Sequence, residues 1–355
     1  MSRLRVAICG AGIGAEHLQG YLANPDLYEV VCIADPDEER ASSLQKLAGC
    51  SYEQGYAAAL QRSDVQLMDI CLPPQLHKQA IIESLNAGKH VICEKPLVTS
   101  LADMDQIMDQ AERATGRVVP VFQYRFGNGL SQLVSLMAAG LTGKPLIATV
   151  ETHWHRDAEY YAVPWRGKWA TELGGVIVSH AIHAHDLLVQ VMGSVKDVQA
   201  QLTTRVNPVE VEDCAAIVFG MQSGALATSS VTLGSAVDQS RLRFCFANLT
   251  AESSLSAYNP GTAPWTFTAR DPAIESQMHE IVDAHHAHAE GFARQLELAH
   301  GAFMGESDAP VSLTDARTSL ELITALYQAS RSASRVSLPL PRSAPGYSSW
   351  LPEVL

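Results

Sequence analysis

The sequence offers no uninterrupted apolar run approaching the roughly 20 residues that a membrane-spanning helix needs, so no membrane insertion is expected. Positive charge is scarce: 25 Lys and Arg against 38 Asp and Glu give a formal net charge of −13. Proteins that bind nucleic-acid phosphates need a cationic face, so that class is excluded. The seven cysteines are odd in number and form no CxxC pair, which argues against a disulfide framework. Cys9, Cys32, Cys71 and Cys93 fall in apolar runs, where a reduced thiol behaves as a small hydrophobe. There is no internal repeat and no low-complexity tract. The basic-then-apolar start, Met1-Ser2-Arg3-Leu4-Arg5-Val6, superficially suggests a signal peptide, but Gly10, Gly12 and Gly14 interrupt the run and no cleavage site follows. A cytoplasmic protein is expected. What is present is ordinary for a folded chain: 355 residues, 47% hydrophobic and 18% charged, comfortable for two domains.

Up to residue 121, short apolar runs (5–9, 30–34, 67–71, 90–93 and 118–121) alternate with longer amphipathic stretches. Continuous apolarity suits strands covered on both faces, as in parallel sheets. A helical pattern such as 75–87 carries Ala80, Ile81, Ile82 and Leu85 at helical spacings, with Gly88 as its stop. This alternation predicts a doubly wound sheet. After about residue 123 the texture changes. A helix is predicted over 129–139, a strand around 146–152, then a Tyr/Trp-rich loop and a helix over 174–192. Strand-like segments follow at 195–204, 211–219, 225–232 and 241–247, with a turn at Gln222-Ser223-Gly224, which predicts an antiparallel-rich sheet. Helices are predicted over 279–299 and 314–332, the second with a core stripe at Ala316, Leu320, Ile323 and Tyr327.

Gly10-Ala11-Gly12-Ile13-Gly14-Ala15 follows the first run directly and opens a helix. In such a turn the first glycine permits the tight bend and the second lets the backbone approach a pyrophosphate. A third small residue, here Gly14 or Ala15, lets helix and strand pack closely. The helix N-terminus then offers N–H groups and positive dipole to the anion. Asp35 ends the second run, where a carboxylate accepts hydrogen bonds from the adenosine ribose and repels a 2′-phosphate. NAD is therefore expected over NADP, with Gly10, Gly12, Ile13 and Gly14 at the pyrophosphate. Arg40, the nearest cation, stands too far along to serve a phosphate.

Further motifs follow in order: Leu72-Pro73-Pro74-Gln75-Leu76-His77, Gly88-Lys89-His90-Val91, Cys93-Glu94-Lys95-Pro96 and Tyr124-Arg125-Phe126. After them come Trp165-Arg166-Gly167, Gly174-Gly175, Ala181-Ile182-His183 with Asp186, and Val211-Glu212-Asp213. Asp315-Ala316-Arg317 through to Val336-Ser337-Leu338-Pro339-Leu340 closes the set. From Val6 to about Leu340 the sequence resembles the Gfo/Idh/MocA oxidoreductases, although its glycine turn is one residue shorter before His17 than the family's usual form. The resemblance implies an α/β protein with an N-terminal Rossmann domain, 1–123, on a doubly wound parallel sheet. It implies a C-terminal α+β domain, 124–355, with a large, mostly antiparallel open sheet. The active site would lie between them, at the carboxyl ends of the parallel strands, with Leu72, Pro73, His77, Glu94, Lys95 and Arg166 at the cofactor. The implied chemistry is NAD-dependent oxidation or reduction at a carbon of a sugar, cyclitol or sugar nucleotide, by a homo-oligomer (dimer or tetramer).

Lys95, at a strand end where α/β sheets place ligands, suits polarisation of the reacting oxygen and contact with the nicotinamide ribose. Glu94 reads as a cofactor-side or lysine-orienting acid. His183 reads as the general acid/base, because an imidazole near neutrality can take the hydroxyl proton while hydride leaves carbon. On one helix Ser179 and His180 share its face, whereas His185 faces elsewhere. Many family members carry aspartate where this chain has Ser179, so His180 stands as a candidate catalytic substitute. Arg156, Tyr160, Tyr161, Trp165 and Arg166 form an aromatic and cationic loop suited to a polyhydroxylated or anionic ligand, with Arg156, Tyr161, Trp165, Ser179 and His183 as substrate contacts. His153 and His155 share a strand face and could join His183 around zinc, but no carboxylate or cysteine stands at metal-site spacing and no metal is expected. Two other readings stand beside the dehydrogenase. One is lyase or glycosidase chemistry on a bound, recycled NAD; the other is a non-catalytic NAD-dependent ligand sensor, against which Lys95 and His183 argue.

Overall fold

The computed structural model describes residues 3–352. Two compact units emerge: one runs up to Gln123 and includes Glu290–Thr318, the other comprises Tyr124–Ala289 and the chain from Ser319 onward.

The sheet of the first unit contains β1 (Leu4–Cys9), β2 (Tyr28–Asp35), β3 (Ser51–Gln54), β4 (Leu67–Ile70), β5 (His90–Cys93) and β6 (Val118–Pro120). All neighbours pair in parallel, in the order β3-β2-β1-β4-β5-β6. Val6, Ile8, Ile33, Leu67, Met68 and Ile92 are almost wholly buried, which is why these runs are apolar without alternation. β3 breaks that rule. It lies at the sheet edge with its residues exposed or half-buried, so its sequence carries no apolar signal. The strand order reverses direction between β1 and β4, the topological switch point where doubly wound sheets bind ligands.

The helix Gly291–Met304 completes this unit. Leu296, Ala299 and Phe303 join the core formed by Leu18, Tyr21 and Tyr28, and the Tyr28 hydroxyl donates to the Leu296 carbonyl at 2.8 Å. A domain split at residue 123 therefore misplaces this segment. The error begins with the helix predicted over 279–299, which is two helices, Pro272–Asp283 and Gly291–Met304. Gly291, at φ +60°, starts the second.

The second unit is built on β7 (Pro145–His155), β8 (Val195–Thr203), β9 (Cys214–Met221), β10 (Leu226–Thr232), β11 (Gly234–Phe246), β12 (Leu249–Glu252), β13 (Thr266–Ala269) and β14 (Val336–Ser337). Their order is β13-β12-β11-β7-β10-β9-β8-β14, antiparallel except where β10 runs parallel to β7. Here the side chains do alternate. β7 buries Ala148, Val150, Thr152 and Trp154, and β9 buries Ala215, Ile217, Phe219 and Met221. Ile147, Val218 and Leu226 are exposed on the opposite face. The helix Ile182–Met192 packs on the covered face, where His185 Nε2 meets Ser229 Oγ at 3.0 Å. Among the described residues no helix is long and apolar enough to cross a membrane.

The helix predicted over 174–192 is not one regular α-helix. A π-helical turn, Ile177–Ala181, precedes Ile182–Met192. Such turns are frequent at functional sites, and this one carries Ser179 and His180.

Candidate active site

In the first unit β1 leads straight into the glycine turn. Gly10 adopts φ +111°, and a Cβ there would stand well inside 3.0 Å of the Cys71 carbonyl, so only glycine fits. A Cβ on Gly14 would press into Ile8, which assigns the third small position to Gly14 rather than Ala15. Asp35 is buried. Its Oδ2 accepts from the Ala11 N–H at 2.7 Å and its Oδ1 from the Asp37 N–H at 2.9 Å, so the carboxylate also braces the turn. Among the described residues nothing accepts from the N–H groups of Gly12 or Ile13, as an anion cradle requires. Arg40 corrects the sequence expectation: its Nη2 lies 3.6 Å from where a Gly12 Cβ would be, because Asp37 caps the helix Glu38–Ala48 and that helix turns the guanidinium back over the cradle. These residues fit a dinucleotide.

At the end of β5, Glu94 is buried and Lys95 half-buried. Glu94 Oε2 accepts from the Lys95 N–H at 2.9 Å, and Oε1 faces His17 Nε2 at 3.1 Å. Leu72 and Pro73 are half-buried in the loop after β4. His77 is wholly buried, with Nδ1 2.9 Å from the Pro96 carbonyl and Nε2 2.7 Å from the Leu72 carbonyl. Burial lowers its pKa, so the neutral ring, which lies between the loops that bear Leu72 and Lys95, donates to one of the two carbonyls.

In the second unit His183 is buried, and its ring stacks on Tyr124 with centroids 4.3 Å apart. One turn along the same helix, Asp186 holds Arg125 through two charge-assisted bonds of 2.7 and 2.6 Å. Tyr124 and Arg125 thus fix the imidazole's surroundings, a role that the Tyr124-Arg125-Phe126 motif did not by itself disclose. Ser179 Oγ donates to the Gly175 carbonyl at 2.7 Å and lies 2.6 Å from His180 Nδ1. With its only proton spent on the carbonyl, the hydroxyl accepts from Nδ1, and His180 Nε2 is left facing the Tyr160 hydroxyl at 3.5 Å. His180 also sits edge-on to Trp154, with centroids 5.0 Å apart.

Arg166 stands over the rings of Tyr160 and Trp165, 4.0 and 4.4 Å from their centroids. It also bonds the Tyr160 hydroxyl and pairs with Glu172 at 3.6 Å. Tyr161 and Trp165 are half-buried. Arg156 is engaged by its neighbours, bonding Asp238 at 3.0 Å and the Tyr258 hydroxyl at 2.8 Å. It therefore braces the aromatic cluster. The sheet separates the histidines considered for zinc. His153 bonds Ser230 Oγ at 2.9 Å, on the face opposite Ser229 and the helix that carries His183.

Glu212 was legible only as part of a motif. Its Oε1 accepts from the Gly175 N–H at 3.0 Å, the Ile177 N–H at 3.2 Å and the Tyr327 hydroxyl at 2.9 Å, pinning the entrance to the π-turn. Burial pushes its pKa up to about 7. The folded state then binds the proton more tightly than the unfolded chain, so stability is highest below about pH 4.5 for this group and falls as pH rises towards 7. Glu212→Gln, neutral at every pH, is expected to flatten the decline in melting temperature between pH 5 and 8, removing a cost of roughly 3 kcal/mol at pH 8. Parallel melting curves for the two proteins across that range would contradict it.

Residues 4–122 match the family model described as the oxidoreductase family, NAD-binding Rossmann fold, and residues 130–251 match the Gfo/Idh/MocA C-terminal domain. The chain is 31% identical over 237 residues to a 4-carboxy-2-hydroxymuconate-6-semialdehyde dehydrogenase of Sphingobium, covering 64% of this chain and 72% of that one. It is 26% identical over 232 residues to a myo-inositol 2-dehydrogenase of Thermotoga maritima, covering 63% and 66%. Among solved structures, the WlbA dehydrogenase of Chromobacterium violaceum, in complex with NADH and UDP-GlcNAcA, superimposes with a TM-score of 0.84 at 25% identity, over 96% of this chain and 97% of that one.

Proposed function

Because the chain belongs to the Gfo/Idh/MocA oxidoreductase family and its first unit is an NAD-binding Rossmann domain, we propose that it transfers hydride between NAD and a secondary alcohol of a sugar, cyclitol or sugar-nucleotide-like substrate. The observation that carries this reading is the Glu94-Lys95-Pro96 turn at the carboxyl end of β5, within a unit that binds NAD. The relatives named for an inositol dehydrogenase and for a dehydrogenase complexed with UDP-GlcNAcA support the substrate class.

Bound NAD supplies the hydride acceptor. The N–H groups of Gly12 and Ile13 hold its pyrophosphate, and Asp35 selects the free ribose hydroxyl. Lys95 polarises the reacting oxygen. His183, oriented by Tyr124, takes the hydroxyl proton. Arg166, packed on the rings of Tyr160 and Trp165, holds the Trp165 indole, whose face suits a polyhydroxylated ring. Ser179, uncharged, keeps His180 in one tautomer and is a neutral counterpart of the family's usual aspartate. The reading includes a cytoplasmic homo-oligomer formed through the exposed sheet face that bears Ile147, Val218 and Leu226.

The test is NADH formation from NAD with a panel of cyclitols, free sugars, sugar acids and sugar nucleotides. At least one substrate is expected to respond, with the rate of His183→Ala lower by about 10²–10⁴-fold. Silence across the panel by a protein that binds NAD would overturn the dehydrogenase and favour chemistry on a recycled cofactor.

A further inference from the structure

His17 sits on the first helix, Gly14–Leu22, wholly buried, with both ring nitrogens facing carboxylates. Nδ1 lies 3.0 and 2.9 Å from the two oxygens of Asp69, and Nε2 lies 3.1 Å from Glu94 Oε1. Asp69 is itself wholly buried in β4, a strand that is otherwise apolar. A carboxylate only accepts hydrogen bonds. Two such bonds to one ring therefore require a proton on each side of it, and the group Asp69–His17–Glu94 must hold one proton more than two carboxylates and a neutral imidazole would. The bare alternative, two buried negative charges flanking a neutral ring, is heavily penalised.

We infer that Asp69 and His17 are positioning residues for Glu94, forming a buried relay in which a doubly hydrogen-bonded imidazolium fixes the carboxylate that precedes Lys95. Glu94 is then held from two sides: Oε1 by His17 and Oε2 by the Lys95 N–H at 2.9 Å. Asp69 sets the ring, the ring sets Glu94, and Glu94 sets the backbone that carries Lys95. The pattern follows the logic by which a buried carboxylate orients a histidine that in turn serves a reacting group.

The surroundings agree. Burial would lower the His17 pKa, but the adjoining Asp69 carboxylate raises it well above its usual value. The other titratable groups around the ring stay protonated. Burial pushes the Cys71 thiol up to about 12, and the Tyr21 hydroxyl is raised as well. Cys71 Sγ is 3.6 Å from Asp69 Oδ1 and 3.5 Å from His17 Nδ1, and the Phe292 ring closes the remaining side with centroids 4.4 Å apart. Cys71, His17 and Asp69 stand close enough together to bind a cation. However, the 2.9 Å separation of Nδ1 and the carboxylate is that of a charge-assisted hydrogen bond. A buried ion group of this kind contributes little to stability compared with an apolar replacement, so its value lies in orientation.

The relay rests on the dehydrogenase reading for its purpose but not for its test. In the NAD-free protein labelled at histidine nitrogen, both ring nitrogens of His17 are expected to carry protons at pH 7, seen as two one-bond proton couplings. Asp69→Asn, which keeps an acceptor but removes the charge, is expected to move the ring's titration to lower pH. A neutral wild-type ring at pH 7, a titration that Asp69→Asn leaves unmoved, or displacement of the ring protons by stoichiometric zinc would each overturn the relay, whatever the protein's reaction. With a substrate in hand, Asp69→Asn is expected to lower kcat 10- to 100-fold with KM changed less than about threefold and a shifted pH–rate profile. A folded Asp69→Asn protein with unchanged kcat and profile would remove the positioning role even where NADH formation stands. Should Asp69→Asn fail to fold, Glu94→Gln replaces it. That variant keeps the acceptor for Nε2 and is expected to perturb the nitrogen shift of Nε2 more than that of Nδ1; equal or absent perturbation would overturn the relay.

Discussion

Lys95→Ala is expected to slow NADH formation by about a thousandfold, the scale on which loss of a group that stabilises charge on the reacting oxygen is felt. The substitution isolates chemistry from folding. Lys95 is half-buried, and its backbone N–H still donates to Glu94 Oε2 in the alanine variant. The cradle of Gly10, Gly12 and Gly14 and the Asp35 carboxylate are untouched, so the variant is expected still to bind NAD, measured by quenching of intrinsic fluorescence. Lys95→Arg is expected to rescue poorly, because a planar fork cannot stand where a compact ammonium is required. A residual rate for Lys95→Ala within tenfold of the wild type would remove this lysine from the proposed mechanism.

The largest structural effect is expected from a single added methyl group. A Cβ on residue 175 would fall well inside 3.0 Å of the Glu212 carbonyl oxygen, carbonyl carbon and nitrogen. These are backbone atoms, which cannot swing aside as the tip of a side chain can. Gly175→Ala must push apart the two segments that Glu212 joins, costing the bonds to the Gly175 and Ile177 N–H groups with it. We expect a loss above about 3 kcal/mol, read as a melting temperature lower by roughly 10 °C or as insoluble protein. A variant that melts within two degrees of the wild type would show that the segment yields easily. The substitution lies one turn ahead of Ser179 and His180, so a folded remnant should also lose activity.

The parallel sheet was legible because burial on both faces writes its strands as continuous apolar runs, and the glycine turn because only a few residue types satisfy its backbone. Edge strand β3 was hidden for the converse reason: half-exposed Ser51-Tyr52-Glu53-Gln54 resembles a loop. The break between Pro272–Asp283 and Gly291–Met304 was missed because helical spacing runs on across it. The π-turn has no periodicity of its own, so His180 and His183 were placed on one regular helix that the chain does not form. His17, Asp69 and Glu94 come from three elements, and no local pattern links them. One clue was nonetheless in view: Asp69 interrupts an apolar run, and a carboxylate inside a strand covered on both faces must have a partner. Glu212, inside Val211-Glu212-Asp213, had a recognisable motif but no visible duty until Gly175 and Tyr327 were seen around it.

The first unit draws its last helix from far along the chain, with consequences for how the protein is made. Leu296, Ala299 and Phe303 pack against Leu18, Tyr21 and Tyr28, so the nascent unit leaves the ribosome with part of this core uncovered. At about 5–20 residues per second, synthesis of the intervening segment takes on the order of ten to thirty seconds. Throughout that interval the apolar patch formed by Leu18, Tyr21 and Tyr28 waits for a helix not yet translated, and exposed apolar surface of this kind is expected to attract holdase chaperones.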